Sequence, residues 1–347
     1  MEYRIVPGTE ESNASPQRMV GRCEMFDEIA CGGMATIHLG RMLGAGGFTR
    51  TVAIMLIHPQ YAKDPEFVDM FLDEARIVAR IRHPNVVPTL DLVEEDGDLY
   101  IIMEYVEGVN FGELMKAGRK RKERVPLGAA LRIVGGMLHG LHAAHEATNE
   151  QGEGMGLVHR DVSPDNALVG VDGFPRVLDF GVARAMGRLS STRDGQVKGK
   201  LSYMAPEQVL GEEVDARTDV FAASSVMWQA LTGKRLFKAK QLVELTHKIL
   251  NMEVPKPSDI VPSLPKKFDT IVLKGLARNR EDRWSSALAM AEAIEAVGHL
   301  ASHREVGLWV RKLGSSRLSQ LASKVSALER KPVKRRSRGA RRVEQRS

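Results

Sequence analysis

The sequence predicts an α+β chain of two lobes. An antiparallel-sheet lobe with one helix spans residues 22–106, and a mostly helical lobe spans 107–300. Three observations predict it. Before Gly108, apolar residues alternate with period two in five short runs; after it, they recur at helical spacing; and one strand-rich stretch, residues 157–180, interrupts the helices. Two such lobes leave a crevice between them, a common place for a ligand.

Residues 1–21 are polar and read as a mobile N-terminal segment. EMFDEIACGG and ATIHLGRML then flank a glycine-containing turn, and TVAIMLI follows as a third strand. In that strand Val52, Ile54 and Leu56 share one face, and Ala53, Met55 and Ile57 the other. A helix begins after Asp64, which can cap it, with Pro65 and Glu66 suited to its first turn. Phe67, Phe71, Glu74, Val78 and Ile81 recur along it. Glu74 therefore sits in an apolar stripe, where an unpartnered carboxylate is costly and a cation is wanted.

VVPTLDLVEE and DLYIIMEYV form two further strands joined through an Asp96-Gly97 turn. Helices are expected over residues 127–146, 218–232, 239–251, 265–278 and 285–298. A helical extension, 301–328, contains one more helix near 303–313, and a basic tail fills 329–347. No internal repeat is evident.

Hydrophobic content of 43% and charged content of 27% are ordinary for a globular protein. No run approaches the roughly 18 apolar residues of a membrane span, and MEYRIVPGTEESNASPQ lacks a secretory layout. Two cysteines, Cys23 and Cys31, are too few for a disulfide framework. Together these features read as a reducing, cytoplasmic setting. The tail holds nine Lys/Arg and two Glu, so the chain's net +6 belongs to it and the remainder is near neutral. Without interleaved aromatics, base stacking on nucleic acid is not expected. An acidic protein or anionic lipid is the alternative to a merely solvated tail.

VHRDVSPDNALV (158–169), VLDFGVAR (177–184) and SYMAPEQ (202–208) carry the chemistry. In this order and spacing the chain resembles the protein kinases, specifically the bacterial eukaryotic-like Ser/Thr kinases, over about residues 22–300. The resemblance implies a sheet-based N-lobe, a helical C-lobe, and ATP with Mg²⁺ or Mn²⁺ in the crevice. It implies that Asp161 orients the substrate hydroxyl and accepts its proton. Asn166 and Asp179 would hold the metal, since hard cations take oxygen ligands. Phe180 would pack below the helix of Glu74, Asp219 would brace the catalytic loop, and Glu207 would pair with Arg283. In IIMEYVEG, Met103 takes the gatekeeper place, Glu104 and Val106 meet the adenine edge through backbone groups, and Ala53 packs on its face.

The chain departs from the family pattern in three places. The glycine loop reads ACGGMATI, placing Ala30, Gly32, Ala35 and Ile37 where the family has three glycines and a valine, with Gly33 beside them. Met55 stands where the family has a lysine that pairs with the helix glutamate and touches phosphate. A thioether offers dispersion and no charge. Glu74 is thus expected to lack its usual partner or to recruit Arg184. Finally, Ser163 replaces a lysine and Lys200 replaces a threonine at two positions that normally meet near the transferred phosphate, so a cation could have crossed between them. Arg160 is a candidate receiver for a phosphate on Ser190, Ser191 or Thr192. His139, His142 and His145 recur every three residues, but no cysteine or carboxylate completes a metal site.

The resulting expectation is a kinase-family signalling protein that binds Mg·ATP, with phosphoryl transfer to protein hydroxyls impaired by Met55. The alternatives are an active Ser/Thr kinase using relocated cations such as Lys200, a silent scaffold that regulates a partner such as another kinase, and an engineered Lys-to-Met variant.

Overall fold

The structure is a computed structural model and describes residues 18–149, 151–180 and 201–332. The small lobe is built on six antiparallel strands: β1 (Arg18–Val20), β2 (Cys23–Cys31), β3 (Ala35–Leu43), β4 (Thr49–Ile57), β5 (Thr89–Glu95) and β6 (Asp98–Glu104). Their order across the sheet is β1-β2-β3-β4-β6-β5. Alternation in β4 decides which core each side chain joins. Val52 and Ile54 enter an outer cluster with Val20, Met25, Tyr100 and Ile102. Met55 and Ile57 enter an inner one with Phe67, Phe71 and Ile101. Asp96 and Gly97 both adopt positive φ, 56° and 78°, the conformation a two-residue hairpin requires.

Helix α1 (Pro59–Ala62) leads into α2 (Pro65–Val78). The Asp64 carboxylate accepts from the backbone N–H of Glu66 at 3.1 Å and of Phe67 at 3.3 Å. A cap of this kind is worth about 1 kcal/mol. α2 buries Phe67, Phe71, Glu74 and Val78; Phe67 and Phe71 join the inner core of the small lobe, whereas Val78 packs into the large-lobe core. Ile81, expected on the same stripe, lies past the helix end and packs into the large-lobe core.

The segment expected to be mobile, 1–21, is corrected at its end. Val20 is fully buried in β1, and Arg18 donates to Asp96 at 2.8 Å and Asp98 at 2.6 Å. A strand of three residues is too short to show a period in the sequence.

The large lobe begins with a three-stranded sheet, β7 (Gly108–Asn110), β8 (Ala167–Gly170) and β9 (Pro175–Val177), in the order β7-β8-β9. Around it stand α3 (Phe111–Lys120), α4 (Leu127–His145), α5 (Pro206–Leu210), α6 (Ala216–Thr232), α7 (Leu242–Asn251), α8 (Pro257–Ile260), α9 (Lys267–Gly275) and α10 (Ala287–Ala296). α6 is buried on nearly every side, so it anchors the loops that meet it. The lobes are also joined by backbone bonds, Val87 N–H to Val177 O at 3.1 Å and Val177 N–H to Asn85 O at 2.8 Å. Two last helices, α11 (His303–Leu313) and α12 (Ser315–Glu329), follow. Among the described residues no helix is long and apolar enough to cross a membrane.

Candidate active site

The loop between α4 and β8 is held from below by one carboxylate. Asp219, on buried α6, accepts the backbone N–H of His159 at 2.8 Å and of Arg160 at 2.9 Å, and the His145 ring nitrogen Nε2 at 2.8 Å. Burial opposes its charge, but the His145 bond and the two neighbouring imidazoles outweigh that and hold it below the usual carboxylate range. His159 ties this loop to the next one. Its Nδ1 accepts from the Asp161 N–H at 3.2 Å, so Nε2 carries the proton and donates to Leu178 O at 2.7 Å. The His159 ring also meets Phe180 at 4.7 Å between centroids.

Asp161 and Asn166 are brought together. The Asn166 amide nitrogen donates to Asp161 O at 2.7 Å and to its Oδ2 at 3.1 Å. That commits the nitrogen and makes the amide oxygen the atom Asn166 would present to a cation. Asp179, at φ 58°, lines the interlobe cavity with Asp165. An all-oxygen set of this kind fits Mg²⁺ or Mn²⁺.

That cavity encloses about 810 Å³ when the open solvent at its mouth is counted. Ala30, Ile37, Ala53, Met103, Glu104 and Val106 line it, together with Asp179. Gly32, Gly33 and Ala35 do not. The turn after β2 is closed by Gly32 N–H donating to Ala35 O at 2.9 Å, and Met34 at its tip is fully buried in the small-lobe core.

Met55 lies deeper, in an adjoining cavity with Phe71, Glu74, Asp179 and Phe180. It is 1% exposed and sits in register between Ile37 of β3 and Ile101 of β6. Glu74 is buried beside it. Among the described residues no lysine or arginine lines this inner cavity. Arg184, Ser190, Ser191, Thr192 and Lys200 fall outside the described residues, as does the tail beyond Pro332.

Glu207 and Arg283 meet in a buried two-pronged pair, both N···O distances 2.8 Å, and Thr218 Oγ1 donates to the same carboxylate at 2.7 Å. Burial raises the Glu207 pKa, but the bonds from Arg283 and Thr218 win and leave it below its ordinary value. The three histidines of α4 do not converge: His139 pairs with Glu295 at 2.8 Å, and His145 with Asp219.

Several neighbours of the site were not expected from the sequence. Gln208 donates from its side chain to Arg160 O at 2.9 Å. Glu113, on the unexpected helix α3, faces the cavity, and burial pushes its carboxyl up despite Arg317 nearby. Arg317 and Leu321 also line the cavity, reaching it from α12. The signal for α12 was present: Leu318, Leu321, Val325 and Leu328 form a 3-4-3 apolar stripe.

The profile of the protein kinase domain matches residues 41–296. The tyrosine-protein kinase MasK of Myxococcus xanthus (strain DK1622) is 41% identical over 290 residues, which cover 84% of this chain and 45% of MasK. The serine/threonine-protein kinase PknL of Mycobacterium tuberculosis (strain ATCC 25618 / H37Rv) is 33% identical over 270 residues, 78% of this chain and 64% of PknL. The chain thus spans about half the length of the first relative and under two thirds of the second. Among solved structures, the Mycobacterium tuberculosis PknI kinase domain superposes with a TM-score of 0.62 at 26% identity, covering 82% of this chain and 99% of that one.

Proposed function

The chain belongs to the protein kinase family, in its bacterial eukaryotic-like Ser/Thr branch, and from that premise we propose that it holds Mg·ATP between its lobes while Met55 impairs transfer to a protein hydroxyl. Nucleotide binding is supported by the apolar walls at Ala53, Met103 and Val106 in the cavity that Asp179 also lines, with Asn166 held against Asp161 in the loop before β8. When bound, the metal would neutralise charge on the transferring phosphates. Asp161, fixed against Asn166, would orient the hydroxyl and take its proton.

One observation carries the impairment. Met55 occupies a buried position between two isoleucines, facing the cavity of Glu74 and Asp179, and its thioether brings no charge there. Loss of one preorganised electrostatic contact costs about 10²–10³ in turnover in other enzymes. The two free cysteines, one of them buried, fit a reducing cytoplasmic setting.

The substrate side is basic. Lys116, Arg119, Lys234, Arg235 and Lys238 surround a groove that reaches Pro164 and Asp165 of the catalytic loop. Their charge favours a protein substrate, or a regulated partner, with an acidic flank.

Transfer of radiolabelled phosphate from ATP tests the reading, with Mg²⁺ or Mn²⁺, on the chain as given, Met55→Lys and Asp161→Ala. Weak transfer that rises in Met55→Lys and vanishes in Asp161→Ala supports it. Brisk Asp161-dependent transfer by the unmodified chain makes it an active kinase instead. No transfer in any version favours a silent regulatory scaffold.

A further inference from the structure

The two helices after residue 300 bind both lobes. α11 lies on the large lobe, where Val306 and Val310 are fully buried. A Cβ at Gly307 would stand 2.4 Å from Val171 O, so only glycine allows that approach. Gly314 then turns the chain over β7, where a Cβ would stand 2.6 Å from the Val109 side chain. α12 continues onto the small lobe. Its Leu318 joins the large-lobe core, whereas Leu321 and Leu328 join the small-lobe core.

Polar anchors fix the helix. Arg317 donates to Ile29 O at 2.7 Å, and Lys324 to Glu28 O at 2.6 Å. Arg41, bound to Glu24 at 2.7 Å, donates to Leu328 O at 3.3 Å and Lys331 O at 2.6 Å. The carbonyls of β2 and of the C-terminal end of α12 are thus held by charged donors, the stronger kind of hydrogen bond.

Two of these residues open into the interlobe cavity. Leu321 is 5% exposed, and Arg317 is, among the described residues, the one cation in the cavity wall. Its neighbours locate it. Glu104 and Val106 mark the end proposed for the base, and Asp179 the end proposed for the metal. Arg317 is bound to Ile29 of the small lobe and lies within electrostatic reach of Glu113 and Tyr105.

We propose that α12 is part of the nucleotide site, with Leu321 and Arg317 contacting the bound nucleotide from the cavity wall. This rests on the reading that the cavity takes a nucleotide. It adds binding residues from outside the stretch matched by the kinase profile, which ends at 296. Docking of α12 and binding of nucleotide then favour each other by the same factor.

The test uses the full chain and its Arg317→Ala, Arg317→Lys, Leu321→Ser and Gln320→Ala variants, the last on the exposed face of α12. Mg·ADP is titrated by calorimetry, with circular dichroism to establish folding. Arg317→Ala and Leu321→Ser should each raise Kd about tenfold, the effect of roughly 1.4 kcal/mol. Arg317→Lys should recover part of the loss, Gln320→Ala should bind normally, and Mg·ADP should slow amide exchange along α12. Unchanged or tighter binding in both Arg317→Ala and Leu321→Ser overturns the proposal while leaving nucleotide binding intact. A full chain that binds no Mg·ADP overturns both.

Discussion

Asp219 accepts the backbone N–H of Arg160 at 2.9 Å, and Arg160 is held there at φ 65°. A non-glycine residue in that region carries about 1–3 kcal/mol of strain, so something must hold it. Removal of the carboxylate would strand two buried N–H groups and the His145 donor. Asp219→Ala should therefore cost about 3 kcal/mol in urea unfolding, and Asp219→Asn less, because one acceptor oxygen remains. A loss under about 0.5 kcal/mol in Asp219→Ala would show that the loop keeps its shape unaided.

The Glu207–Arg283 pair gives an acid-sensitive stability. The folded pKa of Glu207 lies below its unfolded value, so the pair's contribution is complete above the unfolded value, near 4.3, and fades as pH falls through the lower folded one. Melting temperature should drop on the acid side in the native chain, and Glu207→Gln should flatten part of that drop. Arg283→Ala should cost about 3–5 kcal/mol at neutral pH, since it leaves a buried carboxylate alone. Equal acid limbs for native and Glu207→Gln would rule this out.

The basic groove predicts a charge preference that does not need turnover. A labelled peptide with acidic residues flanking a serine should bind more tightly than its lysine-flanked counterpart. The double change Lys234→Glu and Arg235→Glu should erase the difference. Added salt should weaken the acidic peptide most, because exposed charges are screened over about 8 Å at physiological ionic strength. Equal binding of both peptides would refute the preference.

The two thiols should react in sequence. Cys23 is 1% exposed, and burial pushes its pKa up to about 11, whereas Cys31 is half-buried. Maleimide at pH 7 should label Cys31 in the native chain and Cys23 only after denaturation. Mass spectrometry that finds both labelled at one rate would contradict the buried position.

Much of the site was legible because its signals are local. Period two put Met55 on the face of Ala53, and the structure puts Met55 in the inner core, beside Glu74 in the adjoining cavity. Asp64, Pro65 and the Asp96-Gly97 pair carry their own backbone chemistry, so α2 and its hairpin could be read directly. The glycine turn was less legible: nothing in ACGGMATI says that Met34 is drawn into the core. α3 could also have been read, since Phe111, Leu114, Met115 and Gly118 recur at helical spacing behind the Asn110 cap. Arg317 is the hardest case. It lies 288 positions from the carbonyl it binds, and a stripe of leucines names a buried face without naming what buries it.

One consequence follows from the grip of Arg41 on the carbonyls of Lys331 and Pro332. α11 is rooted in the large lobe, yet the polypeptide leaves its last described turn from β3 of the small one. Any rocking of one lobe over the other would carry that departure point along, like the tip of a pointer whose pivot sits at the hinge.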